Sequence, residues 1–223
     1  MNRARLVTRN EVTWEVAAPS SKLGYDFWGD WEKSAWEPYT LEVIDRFADP
    51  HKTFIDLGAW IGPTAMWASR NYGRVLAVEP DRLAYSYLRA NVIANTPAVQ
   101  TLRVAIADYD GEINLVPDPE EGWGSSMTRV ALEGDPVSCM SITTLCEQAG
   151  VFPDRIGLIK MDIEGAESIV LPSLTEFCIE HHVPLFVSMH QPWWQRPLDV
   201  SCFDQFSSVE GIPSGWNSVL ALP

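Results

Sequence analysis

The sequence predicts an α/β fold in three layers, a mostly parallel twisted sheet with helices on both faces, and three observations predict it. Apolar runs of strand length alternate with segments of helical spacing, the runs are near-continuous, and a glycine turn joins the first clear strand to the first clear helix. A strand covered on both faces meets no water, so its sequence is apolar throughout, as in a parallel sheet. With 223 residues and 46% hydrophobic content, the chain can bury one sizeable core. The organisation expected is an N-terminal extension or cap over residues 1–35 and a single domain over 36–223.

The elements follow in order. TFIDL (53–57) is a strand; after the turn GAWIGP, TAMWASR has helical spacing and follows Pro63, a residue suited to a first helical turn. RVLAVEP (74–80) is a second buried strand, and DRLAYSYLRANVIAN (81–95) an amphipathic helix started by Asp81. VQTLRVAI (99–106) reads as one third strand, and DYDGEINLV as a turn into a short extra strand. Residues 117–136, rich in Pro, Gly and Ser without a clean period, read as one long loop. VSCMS, a helix at TTLCEQAG, the strand GLIKM (157–161), a helix from about Ala166, the strand PLFVSMH (184–190) and a last strand WNSVLALP complete the pattern. Between His190 and Trp216 the chain is short and loop-like, so one of the last strands is expected to be reduced or missing.

Charge and cysteine usage narrow the function classes. Thirty Asp and Glu stand against 16 Lys and Arg, so the general field repels phosphate backbones, and neither nucleic acid nor an anionic lipid surface is an expected partner. Arg3, Arg5 and Arg9 read as a solvated, frayed terminus. Cys139, Cys146, Cys178 and Cys202 lack CxxC spacing and read as reduced thiols of a cytoplasmic protein. No apolar signal core opens the chain and no segment approaches the length of a membrane span, so membrane insertion is not expected. The sequence is silent on oligomeric state.

Two motifs carry chemistry. In FIDLGAWIGPT, Asp56 ends a strand, Gly58 permits a tight turn, and Gly62 lets a ligand or the next helix approach the backbone. Glu79 ends the following strand, where a carboxylate can accept hydrogen bonds from both hydroxyls of a ribose. The glycine spacing is not G-x-G-x-x-G, which fits a pyrophosphate-binding fingerprint poorly and argues against a nicotinamide-dependent oxidoreductase. In IGLIKMDIEGAE (156–167), Asp162 leaves the sheet on the same side as Lys160, and Gly165 frees the backbone for a sharp turn. Glu164 and Glu167, three apart, are placed to share a face of the next helix. Those acids either cap and charge a helix start or line the open end of a parallel sheet, where such folds bind ligands. Asp162 is assigned to the reacting centre, Glu167 mainly to the helix start, and Glu164 to either.

FIDLGAWIG, LAVEPDRLAYSYLRANV, VAIADYDGEI and above all LIKMDIEGAESIVL resemble the motifs of the FkbM family of S-adenosylmethionine-dependent methyltransferases, from about Trp36 to the final VLALP. The resemblance implies a class I, Rossmann-like methyltransferase domain with a seven-stranded sheet. It also implies methyl transfer to a hydroxyl of a small metabolite such as a sugar or polyketide, with S-adenosylhomocysteine as the product. Asp56, Gly58 and Gly62 resemble the turn beneath the methionine end of that cofactor, Glu79 the ribose carboxylate, and the stretch Ala105 to Asp108 the adenine wall. Glu37 matches an acid that the family often carries ahead of the first strand, facing the methionine portion. Trp60 stands where the family usually has Asn, and Ser188 replaces a common carboxylate two residues before His190. The second departure disfavours a divalent metal, so no metal ligand is assigned. A non-catalytic module that keeps the cofactor pocket is the rival reading that Trp60 and Ser188 raise.

Methyl transfer needs an acceptor oxygen held in line with the methyl group and a base to take its proton. His190, at the end of a strand, and Asp162 are the assigned candidates, with Glu164 beside them. GWGSSM (122–127) and QPWW (191–194) are assigned to the acceptor pocket, while His51, His181 and His182 read as surface residues.

Overall fold

The computed structural model describes residues 4–96, 98–193, 197–213 and 217–223. Thirteen strands and six α-helices are present among them. In chain order the first elements are β1 (Arg5–Arg9), β2 (Val12–Val16), α1 (Phe27–Glu32), α2 (Pro38–Arg46), β3 (Thr53–Leu57), α3 (Pro63–Ala68), β4 (Arg74–Val78), α4 (Arg82–Asn95), β5 (Val99–Leu102) and β6 (Ala105–Ile106). There follow β7 (Gly111–Val116), β8 (Arg129–Ala131), β9 (Asp135–Met140), α5 (Ile142–Ala149), β10 (Ile156–Met161), α6 (Glu167–His181), β11 (Leu185–Met189), β12 (Ser208–Pro213) and β13 (Asn217–Leu222).

The main sheet has seven strands in the order β12-β13-β11-β10-β3-β4-β5. Its strands run parallel except β13, which is antiparallel to both neighbours. Alternation along each strand divides the apolar side chains between two clusters. Phe54, Leu158, Phe186 and Leu220 pack on one face with α2, α3 and α4; Ile55, Leu57, Ile159, Val187 and Ala221 pack on the other with α5 and α6. Burial of each of these side chains other than Ala221 contributes on the order of 1.5–3 kcal/mol. Among the described residues no helix is long and apolar enough to cross a membrane.

Four sequence expectations are corrected. VQTLRVAI is two strands: β5 pairs with β4 as far as Val78 and Leu102, while β6 pairs with β9 in a second sheet of order β6-β9-β7-β8. The Glu79 N–H still reaches the Leu102 carbonyl, but Pro80 has no N–H with which to continue the ladder. The 117–136 stretch is not one loop, since β8 pairs with Asn114–Val116 and β9 begins at Asp135. The last strands are complete: all six residues of β12 pair with β13. Gly211 and Pro213 disguised this strand, and both are tolerated because it lies at the sheet edge.

The N-terminus is the fourth correction. Instead of fraying, β1 and β2 form a hairpin through Asn10 and Glu11, both at positive φ as a two-residue turn of this hand requires. Val7, Trp14 and Val16 enter the same core cluster as α3 and the sheet, joined by Trp28 and Trp31 of α1. Arg9 is 5% exposed; its guanidinium lies over Trp31 at 4.7 Å and donates to the Trp31 and Trp36 carbonyls. Aromatic faces and carbonyls together compensate its burial. Arg5 stays partly exposed and pairs with Asp26. Arg3 lies outside the described residues.

Candidate active site

The carboxyl ends of β3, β4, β10 and β11 open into a cavity of about 540 Å³. Open α/β sheets place ligands at these ends, and the volume suits a cofactor-sized molecule. Phe27 and Glu37 wall the cavity from the N-terminal side and Ser125 to Thr128 from the segment before β8.

Its floor is a buried charge network. Asp56 and Lys160 are register partners on neighbouring strands, and their side chains meet at 3.2 Å. The Lys160 ammonium also donates to the Gly58 carbonyl at 3.2 Å and lies 3.6 Å from Asp162 Oδ2. Burial opposes the charge of Lys160, but Asp56, Asp162 and Glu37 outweigh it and raise its pKa above the ordinary lysine value. The Thr64 hydroxyl donates to the other Asp56 oxygen. Gly58 is required at φ +79°, because a Cβ there would collide with the Asp162 carbonyl; this close approach joins the two turns of the site.

Glu79 is 7% exposed. Its two oxygens accept the backbone N–H groups of Trp60 at 2.9 Å and Asp81 at 2.8 Å, which fixes the carboxylate plane. Burial pushes its pKa up to about 8 despite those hydrogen bonds. Trp60, at φ +48°, turns its indole to the Gly124 carbonyl at 2.9 Å and against the Phe27 ring, so it forms a wall of the cavity. Asp81 caps α4 through Oδ1 and, through Oδ2, accepts the Gly124 N–H and the Thr128 hydroxyl at 2.7 Å each. The 122–128 segment is thereby fastened beside the Glu79 turn. Glu121 fastens its other end to Ser21, Lys22 and Leu23.

The second half of the site gathers Asp162, Glu164, Glu167 and His190. Glu164 and Gly165 both take positive φ, which folds the chain back before α6 starts at Glu167. The His190 Nδ1 and Glu167 Oε1 are 2.8 Å apart. Its Nε2 lies 3.5 Å from Asp162 Oδ1 and 3.6 Å from Glu164 Oε2, and both of those buried oxygens lack a hydrogen-bond partner among the described residues. Burial and the Asp162 charge raise the Glu164 pKa to about 8, although His190 opposes the shift. Burial works against the imidazolium of His190, but the Glu167 hydrogen bond and the Asp162 and Glu164 charges win and raise its pKa to about 9.

These shifts share one sign for stability. Glu79 and Glu164 hold protons in the folded state that the unfolded chain has released, from the ordinary carboxyl range up to about 8. The stability conferred by the His190 imidazolium is full below its ordinary value and is lost as pH rises through about 9. Stability of the unliganded protein therefore falls from pH 5.5 to 8.5, by at least the ~1.4 kcal/mol that one pKa unit is worth. Urea midpoints across that range check this, and a Glu164→Gln variant should show a shallower slope; a flat or rising wild-type profile would contradict these assignments.

The sequence candidates are placed as follows. Gly58, Glu79, Ala105, Asp162, Glu164, His190 and Glu37 all line the cavity, with Val104 and Ile106 flanking Ala105. Glu37 donates no cap to α2; its Oε2 accepts the Thr40 hydroxyl at 2.8 Å, and burial and Asp162 raise its pKa. Asp56 lies beneath the lining. Gly62, at φ +99°, faces Leu88 of α4, so helix packing rather than a ligand requires it. Asp108 is exposed in the turn after β6 and outside the lining. Glu164 and Glu167 do not share a helical face, because Glu164 precedes α6 in a left-handed turn. Asp162 makes no cap for α6, so the helix-cap reading fails for it. Ser125, Ser126 and Met127 reach the cavity, whereas Trp123 and Gly124 face a smaller neighbouring cavity. Trp193 stacks on His190 instead, and Trp194 lies outside the described residues. Tyr25, Phe27 and Tyr39 were missed; the aromatic density of residues 25–39 was their only signal. His51 and His182 are exposed, and His181 packs on Phe177 in the last turn of α6.

Glu37, Glu79, Asp162 and Glu164 stand against Lys160 and His190 around the cavity, and a cationic ligand would favour the ionised form of those acids whose pKa burial raises. Ligand atoms of Asp162, Glu164 and His190 also lie within 4.8 Å of one another, close enough to share one divalent ion. The Lys160 ammonium on the other Asp162 oxygen and the hydroxyl at Ser188 leave such an ion short of carboxylate oxygens.

A family model described as the Methyltransferase FkbM domain matches residues 56–208. Among solved structures, the methyltransferase FkbM from Methylobacillus flagellatus KT is similar with a TM-score of 0.50 at 18% identity, covering 78% of this chain and 44% of that one. The 16S rRNA N2 G1207 methyltransferase RsmC of T. thermophilus, in complex with AdoMet and guanosine, has a TM-score of 0.51 at 13% identity, covering 99% of this chain and 50% of that one. The chain thus spans half or less of the length of each. At such identities the likeness establishes the fold. No curated protein matches the chain.

Proposed function

The chain belongs to the FkbM methyltransferase family, and from that premise we propose that it transfers the methyl group of S-adenosylmethionine to a hydroxyl oxygen of a small metabolite. The observation that carries this reading is the shared cavity. The Glu79 carboxylate, suited to a ribose, and the Asp162–His190 pair, suited to a proton, line the same space. When bound, the cofactor supplies a methyl group already activated on a sulfonium.

The chain's own residues supply position and a base. Glu79 would hold the ribose hydroxyls, Ala105 and Ile106 the adenine face, and Glu37 with the turn at Gly58 the methionine end. Asp162 and His190 Nε2 take the proton that the acceptor hydroxyl loses as its oxygen gains the methyl group, and Glu164, whose carboxyl keeps its proton up to about pH 8, stands beside them. In the unliganded protein the imidazolium of His190 is favoured by its three acids; a cation in the same cavity opposes that charge, so cofactor binding should release a proton and free Nε2. The net charge of −14 supports a small acceptor over a nucleic acid, although RsmC is an rRNA enzyme.

Calorimetric titration with S-adenosylhomocysteine, with NADH as the control ligand, tests the cofactor. Micromolar binding of the former alone is expected, after which hydroxylated metabolites are screened for methyl transfer. Binding of neither ligand would leave a degenerate domain, and binding of NADH alone would sink the reading.

A further inference from the structure

We propose that Glu167 is the positioning residue of a buried carboxylate–imidazole pair, holding the His190 proton on Nδ1 so that Nε2 is the basic nitrogen presented to the cavity. The inference rests on the proposed role of His190 as proton acceptor and adds to it a residue otherwise accounted for as the first acid of α6.

Glu167 is fully buried, in the first turn of its helix. A carboxylate there needs only the helix terminus to be favourable, and a solvated one would serve. This one is turned inward. Its Oε1 lies 2.8 Å from His190 Nδ1 and accepts the Gly165 N–H at 3.2 Å. The imidazole is fixed on a third side by Trp193, stacked at 5.8 Å with planes 14° apart. Trp193 is itself seated against Gly165, where any Cβ would strike its backbone and Cβ. Helix start, turn and ring therefore form one packed unit, with the ring oriented by partners on two elements.

An ionised carboxylate only accepts, so the Nδ1 facing it must carry a proton. The remaining nitrogen, Nε2, lies 3.5 and 3.6 Å from the Asp162 and Glu164 oxygens, so the closer Glu167 oxygen, at 2.8 Å, decides which nitrogen of the neutral ring keeps the proton. An imidazole without the Glu167 partner could place its proton on either nitrogen, and protonation at Nε2 would leave it no lone pair for the acceptor hydroxyl. The same arrangement, a carboxylate on one imidazole nitrogen fixing the tautomer that acts through the other, is a general way of preparing a histidine for proton transfer. Among the described residues Lys160 and Glu37 also carry charge near the pair, and the Arg129 guanidinium lies 5.9 Å from the Trp193 ring.

The test is ¹⁵N NMR of the unliganded full chain with labelled histidine. The four histidines give few enough signals for a His190→Gln spectrum to assign the one that matters. In the wild type at pH 10, where the ring is neutral, the Nδ1–H tautomer should exceed the other by about tenfold or more, the worth of one charge-assisted hydrogen bond. Glu167→Gln, which keeps the shape and one acceptor oxygen but removes the charge, should reduce that excess severalfold while leaving S-adenosylhomocysteine affinity unchanged. An Nε2–H tautomer in the wild type overturns the proposal without any variant, and so does a Gln variant with an unaltered tautomer ratio. Failure of both proteins to bind S-adenosylhomocysteine would sink the methyltransferase reading and leave the tautomer result standing, so the two failures are distinguishable.

Discussion

Above about pH 8, where Glu79 is ionised, Glu79→Ala raises the dissociation constant for S-adenosylhomocysteine by an expected 10²- to 10⁴-fold, on the order of what two hydrogen bonds to a charged group are worth at about 1.5–3 kcal/mol each. The carboxylate has capacity for both ribose hydroxyls because each oxygen spends only one lone pair on the backbone, at the Trp60 and Asp81 N–H groups. Those two bonds are also why the effect should be large. They hold the carboxylate on one side of the turn, so a ribose meets an acceptor already oriented. Glu79→Gln separates the contributions, since it keeps one acceptor oxygen while losing the charge; it should fall between wild type and Ala. Calorimetry on all three proteins, with circular dichroism to confirm folding, reads the result. An Ala variant binding within about threefold of wild type would remove Glu79 from the ribose.

How much of this was legible in the sequence depended on whether the signal was local. TFIDL, RVLAV and GLIKM are strands because their apolar runs are covered on both faces, and their ends fix where Asp56, Glu79 and Asp162 emerge. Asp81 as a helix start was equally local, since its side chain caps the next two N–H groups. Its second oxygen was not legible: the bonds to Gly124 and Thr128 span more than forty positions and have no sequence period. The hairpin at residues 5–16 alternates buried Val7, Arg9, Trp14 and Val16 with exposed residues. It was misread because a charged residue occupies an inward position, and only rings and carbonyls further along the chain, those of Trp31, Trp36 and Trp67, make that position tolerable. Gly62 was ambiguous from the start, because a positive φ is demanded equally by a ligand and by a packed helix, and only the position of Leu88 decides. The same holds for Glu167, where the first-turn position predicts helix support and the approach of His190 from another strand supplies the rest.

Asp162→Asn is expected to lower kcat by about 10²- to 10⁴-fold, the usual contribution of a positioned proton-transfer group, while leaving cofactor affinity within about threefold. The substitution keeps the shape and does not touch the backbone bond from the Asp162 N–H to the Leu57 carbonyl, so the turn against Gly58 survives. Lys160 keeps Asp56 as its nearer partner, at 3.2 Å against 3.6 Å for Asp162, so the floor of the cavity stays charged as before. What the amide cannot do is accept the acceptor's proton or stabilise an imidazolium at Nε2, 3.5 Å away. The two consequences separate by pH. In the wild type, kcat/KM should climb toward pH 9 as His190 loses its proton, because only the neutral ring accepts another. Loss of the Asp162 charge moves that rise to lower pH, since one of the charges holding the imidazolium is gone. Near-normal turnover in the Asn variant would return Asp162 to a purely structural role beside Lys160. A depressed kcat with an unmoved pH profile would make Asp162 itself the base and His190 its neighbour.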